Sequence, residues 1–242
     1  MKQYKARGIV LNTIKYGESS MVAHLLTDVA GRKSFMVQGI GKGGRGKGGK
    51  SALFQPMFLV DIMALESSHT QIDRVKEVAL ARPLQSIPFD VRKSTVALFM
   101  AELLYKIVRE VEPDSPLFEY VYDSVIALDE MEEGVFNFHL WFMVGLSRFL
   151  GFFPADEYCE GAVFDIENGS FTTIPPRSGL FFNADNSRLL ATLMEISPAE
   201  LGSVRLSRVQ RKEFIESLLA HFGYHLDTIP SLQSLRILSE VF

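Results

Sequence analysis

The chain has 242 residues, 47% of them hydrophobic and 22% charged, with a formal net charge of −4. That length and apolar content support one large or two small domains with a buried core, and exclude an intrinsically disordered chain. A single cysteine, Cys159, excludes an internal disulfide and a multi-cysteine zinc site, and fits a reducing, cytoplasmic compartment.

The charge is unevenly placed. Residues 1–80 carry 12 Lys/Arg against 6 Asp/Glu, whereas residues 81–242 carry 13 against 23. A basic front on an acidic body predicts two modules with different partners. The opening Met-Lys-Gln-Tyr-Lys-Ala-Arg has charges but no apolar run behind them, so no signal peptide is expected. The most apolar stretch, Trp141 to Phe153, is 13 residues long and contains Arg148. A membrane span needs about 20.

In chain order, the first 80 residues read as five short strands: Ala6–Ile14, Ser20–Thr27, Lys33–Gly39, Phe54–Met63 and Gln71–Glu77. Each is β-branched, apolar or partly alternating. Turn residues divide them at 16–19, 28–31, 39–50 and 66–69. Five strands in so short a span predict a small barrel, with an OB-fold leading and an SH3-like barrel second.

At Arg82-Pro83 the pattern changes. Pro83 and Pro88 mark a linker, and apolar residues at 96, 99, 103 and 107 predict a helix within 91–111. Further helices are expected over Leu117–Leu128 and Val135–Leu150, the latter stopped by Gly151. The Glu-Asn-Gly turn predicts a β-hairpin within residues 161–173. Helices at Asn186–Ile196, Glu200–Phe222 and Ser231–Leu238 complete the chain. The expected class is α+β: an OB-fold barrel over 1–80, then a mainly helical domain over 81–242 with a small hairpin.

The segment Gly39 to Lys50 stands apart. It holds seven glycines and the cations Lys42, Arg45, Lys47 and Lys50, and almost nothing that could be buried. Glycine supplies no side chain to a core and loses much backbone freedom on ordering. Free backbone N–H groups and cations can instead follow a polyanion. Arg32 and Lys33 open the preceding strand, and no acid occurs between Gly31 and Val60. Loops between OB strands border the face that carries single strands, so these six cations are the expected phosphate contacts.

Other readings compete with this one. Gly41 to Gly48 follows P-loop spacing but ends on glycine where magnesium needs a hydroxyl, and no helix follows. A merely solvated linker is the bland alternative. Phe35, Phe54 and Phe58 could stack on bases, although alternating strands more often bury them. Lys2, Lys5, Arg7, Arg74 and Lys76 could extend the patch, or be ordinary surface charges.

His221 and His225 have the spacing of a helical metal pair without a third ligand, and Glu130, Glu132 and Glu133 suit a solvated loop. No nucleophile–base motif appears. No catalysis, metal or cofactor is expected. Arg205, Arg208 and Lys212 fall at helical spacing and could receive an acidic peptide, with apolar neighbours taking a hydrophobic anchor.

These motifs, in this order, resemble the bacterial recombination mediator family RecO. The resemblance rests on Arg7-Gly-Ile-Val-Leu11, Tyr16-Gly-Glu-Ser19, Leu26-Thr27 and Gly31, then on Gly39 to Ser51 with Gln55-Pro56. It continues through Phe149-Leu-Gly-Phe-Phe-Pro154 and Ser234-Leu-Arg-Ile-Leu238, and so covers nearly the whole chain. It implies binding of single- and double-stranded DNA, strand annealing, and cooperation with RecR and in some lineages RecF. It also implies loading of RecA onto DNA coated by single-stranded DNA-binding protein, whose acidic C-terminal tail would be a partner. Many members of the family carry a four-cysteine zinc site; here the corresponding stretch has only Cys159, and the 161–173 hairpin would hold the region instead. An RNA-binding OB protein, or an adaptor docking an acidic protein, remain the alternatives.

Overall fold

Alternation of small or apolar with polar residues builds the first half of the chain. Strands β1 (Gln3–Tyr16), β2 (Ser20–Thr27), β3 (Gly31–Gln38), β4 (Leu59–Leu65) and β5 (Ile72–Arg82) close into one barrel in the order β1-β2-β3-β5-β4, with β4 returning to β1. Among the described residues only β3 and β5 pair in parallel. This is the five-stranded OB arrangement rather than the SH3-like alternative. The computed structural model describes residues 2–40, 50–68, 70–109, 112–155, 158–226 and 231–242.

The inward rows Ala6 and Val10, Met21, Ala23 and Leu25, Phe35 and Val37, Val60, Ile62 and Ala64 fill the barrel. β1 serves two neighbours, pairing β4 with its first half and β2 with its second. A bulge between Val10 and Asn12 lets it change direction, as bulges do by adding one unpaired residue. Ile9 and Leu11 are buried as well, and α1 (Val91–Ile107) packs on β1.

Two strands differ from expectation. The fifth runs on to Arg82 instead of ending at Glu77. The fourth begins at Leu59, not at Phe54. Ser51–Leu53 form a 3-10 turn, and Met57 adopts φ 62°, which breaks any extended run. Phe54 still reaches the core, from the turn.

The chain divides into compact units over 1–129 and 130–242. In the first, α1 and α2 (Ser115–Glu130) accompany the barrel. The linker before α1 is organised by Asp129, whose carboxylate accepts the N–H groups of Gln85, Ser86 and Ile87 at 2.7–2.8 Å. Buried Lys93 donates to Ser86 Oγ and to the Asp129 carbonyl. Asp90 caps α1 by accepting from Arg92 N–H.

The second unit contains α3 (Val135–Phe149), the strands β6 (Val163–Asp165), β7 (Ser170–Thr172) and β8 (Phe181–Phe182), then α4 (Ala184–Glu195), α5 (Arg208–His225) and α6 (Ser234–Val241). The expected hairpin is β6–β7, and β8 adds a third strand beside β6. The single helix expected over Glu200–Phe222 is two elements. A 3-10 turn covers Pro198–Ser203, and α5 starts only after Ser207, whose hydroxyl and Gln210 form a capping box. Gly134 precedes α3 at φ 80°, and a Cβ there would lie 2.6 Å from the Leu201 backbone, so both conformation and close approach require glycine. No helix among the described residues is long and apolar enough to cross a membrane.

Candidate nucleic-acid interface

The glycine-rich segment follows β3, and both of its described ends are seated on the barrel. Gly39 and Ile40 donate their N–H groups to Ser19 O at 2.9 and 3.0 Å, fastening the departure to the β1–β2 turn. Ile40 packs against the barrel core. On the return, Lys50 precedes the 3-10 turn, and Leu53 and Phe54 re-enter the core. Lys42, Arg45 and Lys47 lie outside the described residues.

Arg32 and Lys33, expected at the phosphates, have partners within the first unit. Arg32 Nη1 donates to the carbonyls of Tyr105 and Val108, each at 2.7 Å, and its guanidinium lies 4.9 Å from the Tyr105 ring centre. It satisfies carbonyls at the end of α1, where a cation is favoured by the helix dipole. Lys33 Nζ sits 2.6 Å from a carboxylate oxygen of Asp73, which is almost wholly buried. Tyr4 donates its hydroxyl to the same carboxylate at 2.5 Å, and Ser67 its N–H at 2.9 Å. Burial pushes the Asp73 carboxyl up, but Lys33, Tyr4 and Ser67 outweigh it and hold it below the usual carboxylate value. The two cations are visible in the sequence and their partners are not, because Asp73 and Tyr105 are distant in the chain.

The other cations of this half divide similarly. Arg7 is bound to Asp28 and Glu119 and lies over Phe118, and Lys76 donates to Gln3. Lys5 and Arg74 are exposed. Phe35 and Phe54 are 0% and 2% exposed and present no face to a base, whereas Phe58 is half-buried and packs against the same core.

The second unit holds a different arrangement. Arg205 lies in the segment between the 3-10 turn and α5, and so does not continue the face of Arg208 and Lys212. It lines a cavity of about 300 Å³ together with Phe136, Asn137 and Arg211. Arg208, Arg211 and Lys212 rim a smaller cavity of about 80 Å³ whose floor is Ile215, Leu235, Leu238 and Phe242. Arg211 donates to the carbonyls of Leu206 and Phe242 at 2.7 and 3.0 Å, and Arg208 donates to the Ser239 carbonyl, so both help to fasten α6 to α5.

His221 and His225 are structural donors. Their Nε2 atoms lie 3.1 Å from the carbonyls of Phe152 and Ile166, which can only accept. His221 is surrounded by Phe152, Phe164, Phe182 and Phe222. Burial pushes its pKa down to about 4, with His225 adding to the effect. This aromatic cluster ties the small sheet to α5. Cys159 is exposed.

Comparison with known proteins is consistent along the chain. Residues 1–84 match the family model for the recombination protein O N terminal, and residues 88–235 match that for its C terminal. The chain is 35% identical over 240 residues to the DNA repair protein RecO of Bacteroides fragilis, covering 98% of each. It is 34% identical over 239 residues to that of Phocaeicola vulgatus, again covering 98% of each. For the Flavobacterium psychrophilum protein the identity is 30% over 240 residues, covering 99% of both chains.

Proposed function

The chain belongs to the RecO family of DNA repair and recombination proteins, and from that premise we propose that it binds single- and double-stranded DNA through the loop at the mouth of its barrel and anneals complementary strands. The observation that carries this reading is the closed OB barrel with an acid-free span from Gly31 to Val60, which contains the Gly39–Lys50 loop. Lys42, Arg45, Lys47 and Lys50 would meet phosphates, and Arg32 and Lys33, already paired, would hold the stem from which the loop leaves. Two strands held against one cationic loop repel each other less, which favours pairing without covalent chemistry. Such a mediator is not an enzyme and needs no cofactor.

In this role the protein would act with RecR, and in some lineages RecF, to load RecA onto DNA covered by single-stranded DNA-binding protein. The cavity rimmed by Arg208, Arg211 and Lys212 supports a protein contact of the matching kind. Its cations suit an acidic tail, and its apolar floor suits a hydrophobic anchor residue. Arg205, outside α5, would extend the rim only through the neighbouring cavity.

Anisotropy of labelled single-stranded DNA across a salt series tests the first part. Changing Lys42, Arg45, Lys47 and Lys50 to alanine should weaken binding and flatten the log–log salt slope by roughly 3, about 0.7 per lost phosphate contact. An unchanged slope would place the DNA site elsewhere. Competition by matched RNA separates an RNA-binding role, and polyanion binding without annealing would favour an adaptor.

A further inference from the structure

We propose that Tyr16 is a base-stacking residue that gives the barrel a preference for single-stranded over duplex DNA. This deepens the DNA-binding reading and rests on it. Of the phenylalanines nearest the loop in sequence, Phe35 and Phe54 are buried and Phe58 is half-buried against the core, so an exposed aromatic ring is sought elsewhere on the barrel. Tyr16 is the last residue of β1 and is 63% exposed; Ile14, two residues back on the same face, is 51% exposed. Successive side chains of a strand point to opposite faces, and Met21, Ala23, Phe35 and Val37 point inward. Val22 and Met36 therefore point outward. The register sets Ile14 opposite Val22, and Val22 opposite Met36.

These residues form an apolar row across three strands, about 10 Å wide, with Tyr16 standing about 7 Å further along β1. The outer face of the second and third strands, with the loop between the first two, is the surface on which OB folds bind oligonucleotides.

Position and charge select the occupant. The turn after Tyr16 is the one whose Ser19 carbonyl receives Gly39 and Ile40, so the aromatic ring and the departure of the cationic loop share one end of the barrel. Arg74 lies beside Met36 in the register, and Glu18 is the one acid of the turn. An apolar strip with Arg74 at one edge and the departure of the cationic loop at its end suits a strand whose bases are unpaired and whose phosphates run toward the loop. In a duplex the base faces are stacked on one another and closed to such a ring.

The test compares the native chain with Tyr16→Ala and Tyr16→Phe, using a fluorescein-labelled single strand, its duplex, and a strand carrying 2-aminopurine. Tyr16→Ala should weaken single-strand binding roughly five- to 100-fold, leave duplex binding within about twofold, and leave the salt slope unchanged. It should abolish the 2-aminopurine signal change, and Tyr16→Phe should behave as the native chain. Equal loss on both DNA forms, or unchanged single-strand binding, overturns the proposal. So does a Tyr16→Ala variant that binds DNA normally but changes its association state, because the strip would then cover a second copy. If the loop variant flattens the slope while Tyr16→Ala does nothing, only the stacking role fails. If the loop variant leaves the slope unchanged, the underlying DNA site fails with it.

Discussion

Removing the carboxylate of Asp73 separates the structural cation from the DNA-binding cations. Its side chain is 2% exposed and that of Lys33 20%, and the carboxylate also receives Tyr4 and Ser67. Deleting one member of a buried pair leaves the other charged in a poorly solvated place and costs about 3–5 kcal/mol. Lys33 keeps enough exposure to turn partly toward water, which sets the expected cost of Asp73→Ala near 3 kcal/mol. With a urea m-value of about 1–3 kcal/mol/M, the unfolding midpoint of the first unit should fall by roughly 1–3 M. Because the native carboxyl is held below its unfolded value of 3.8, its contribution is fully present above that pH. It is lost as pH falls through the folded value, and Asp73→Asn should remove that acid limb. Replacing both residues with apolar ones, Lys33→Met with Asp73→Leu, should recover much of the stability. Lys33→Met alone should destabilise the barrel without changing the salt slope for DNA. A midpoint shift under about 0.5 M for Asp73→Ala, or a slope change for Lys33→Met, would refute the assignment.

Two further outcomes follow from the second unit. His221 is neutral in the fold with a pKa near 4, against 6.5 when unfolded, so the unfolded chain binds the proton first. Stability of residues 130–242 should be constant above about pH 6.5 and decline toward pH 4, by about 2–3 kcal/mol from this group; near-UV circular dichroism against pH reads it, and a flat profile would contradict it. Gly134→Ala should cost about 2–4 kcal/mol, because it adds both positive-φ strain and a collision with the Leu201 backbone. A melting temperature within 1–2 °C of the native chain would show that the 3-10 turn can yield there.

The strands and most helices were legible in the sequence because their signals are local. Ser20–Thr27 was located to the residue, and the β6–β7 hairpin was announced by Glu-Asn-Gly. The boundaries that failed were set by contacts. Phe54 has the composition of a strand residue, but Met57 at positive φ, its N–H bonded to Val10 O, makes the segment a turn. Glu200–Phe222 has helical periodicity, but the Ser207 capping box and the seating of Leu201 against Gly134 divide it, leaving Arg205 outside α5.

The same division holds for the interface. That a glycine- and cation-rich loop interrupts a basic β segment is a property of composition, and it is visible without coordinates. Which cations are free to meet a phosphate is decided by partners far along the chain. Asp73 is 40 residues from Lys33, and Tyr105 is 73 from Arg32. Which aromatic faces water is likewise a matter of barrel closure. Alternation places Phe35 and Tyr16 on strands, but only the joining of β1 to β4 and of β3 to β5 makes one side an interior and leaves the other to solvent. Local patterning therefore specified the elements and the loop, whereas the burial and pairing of each side chain required the closed fold.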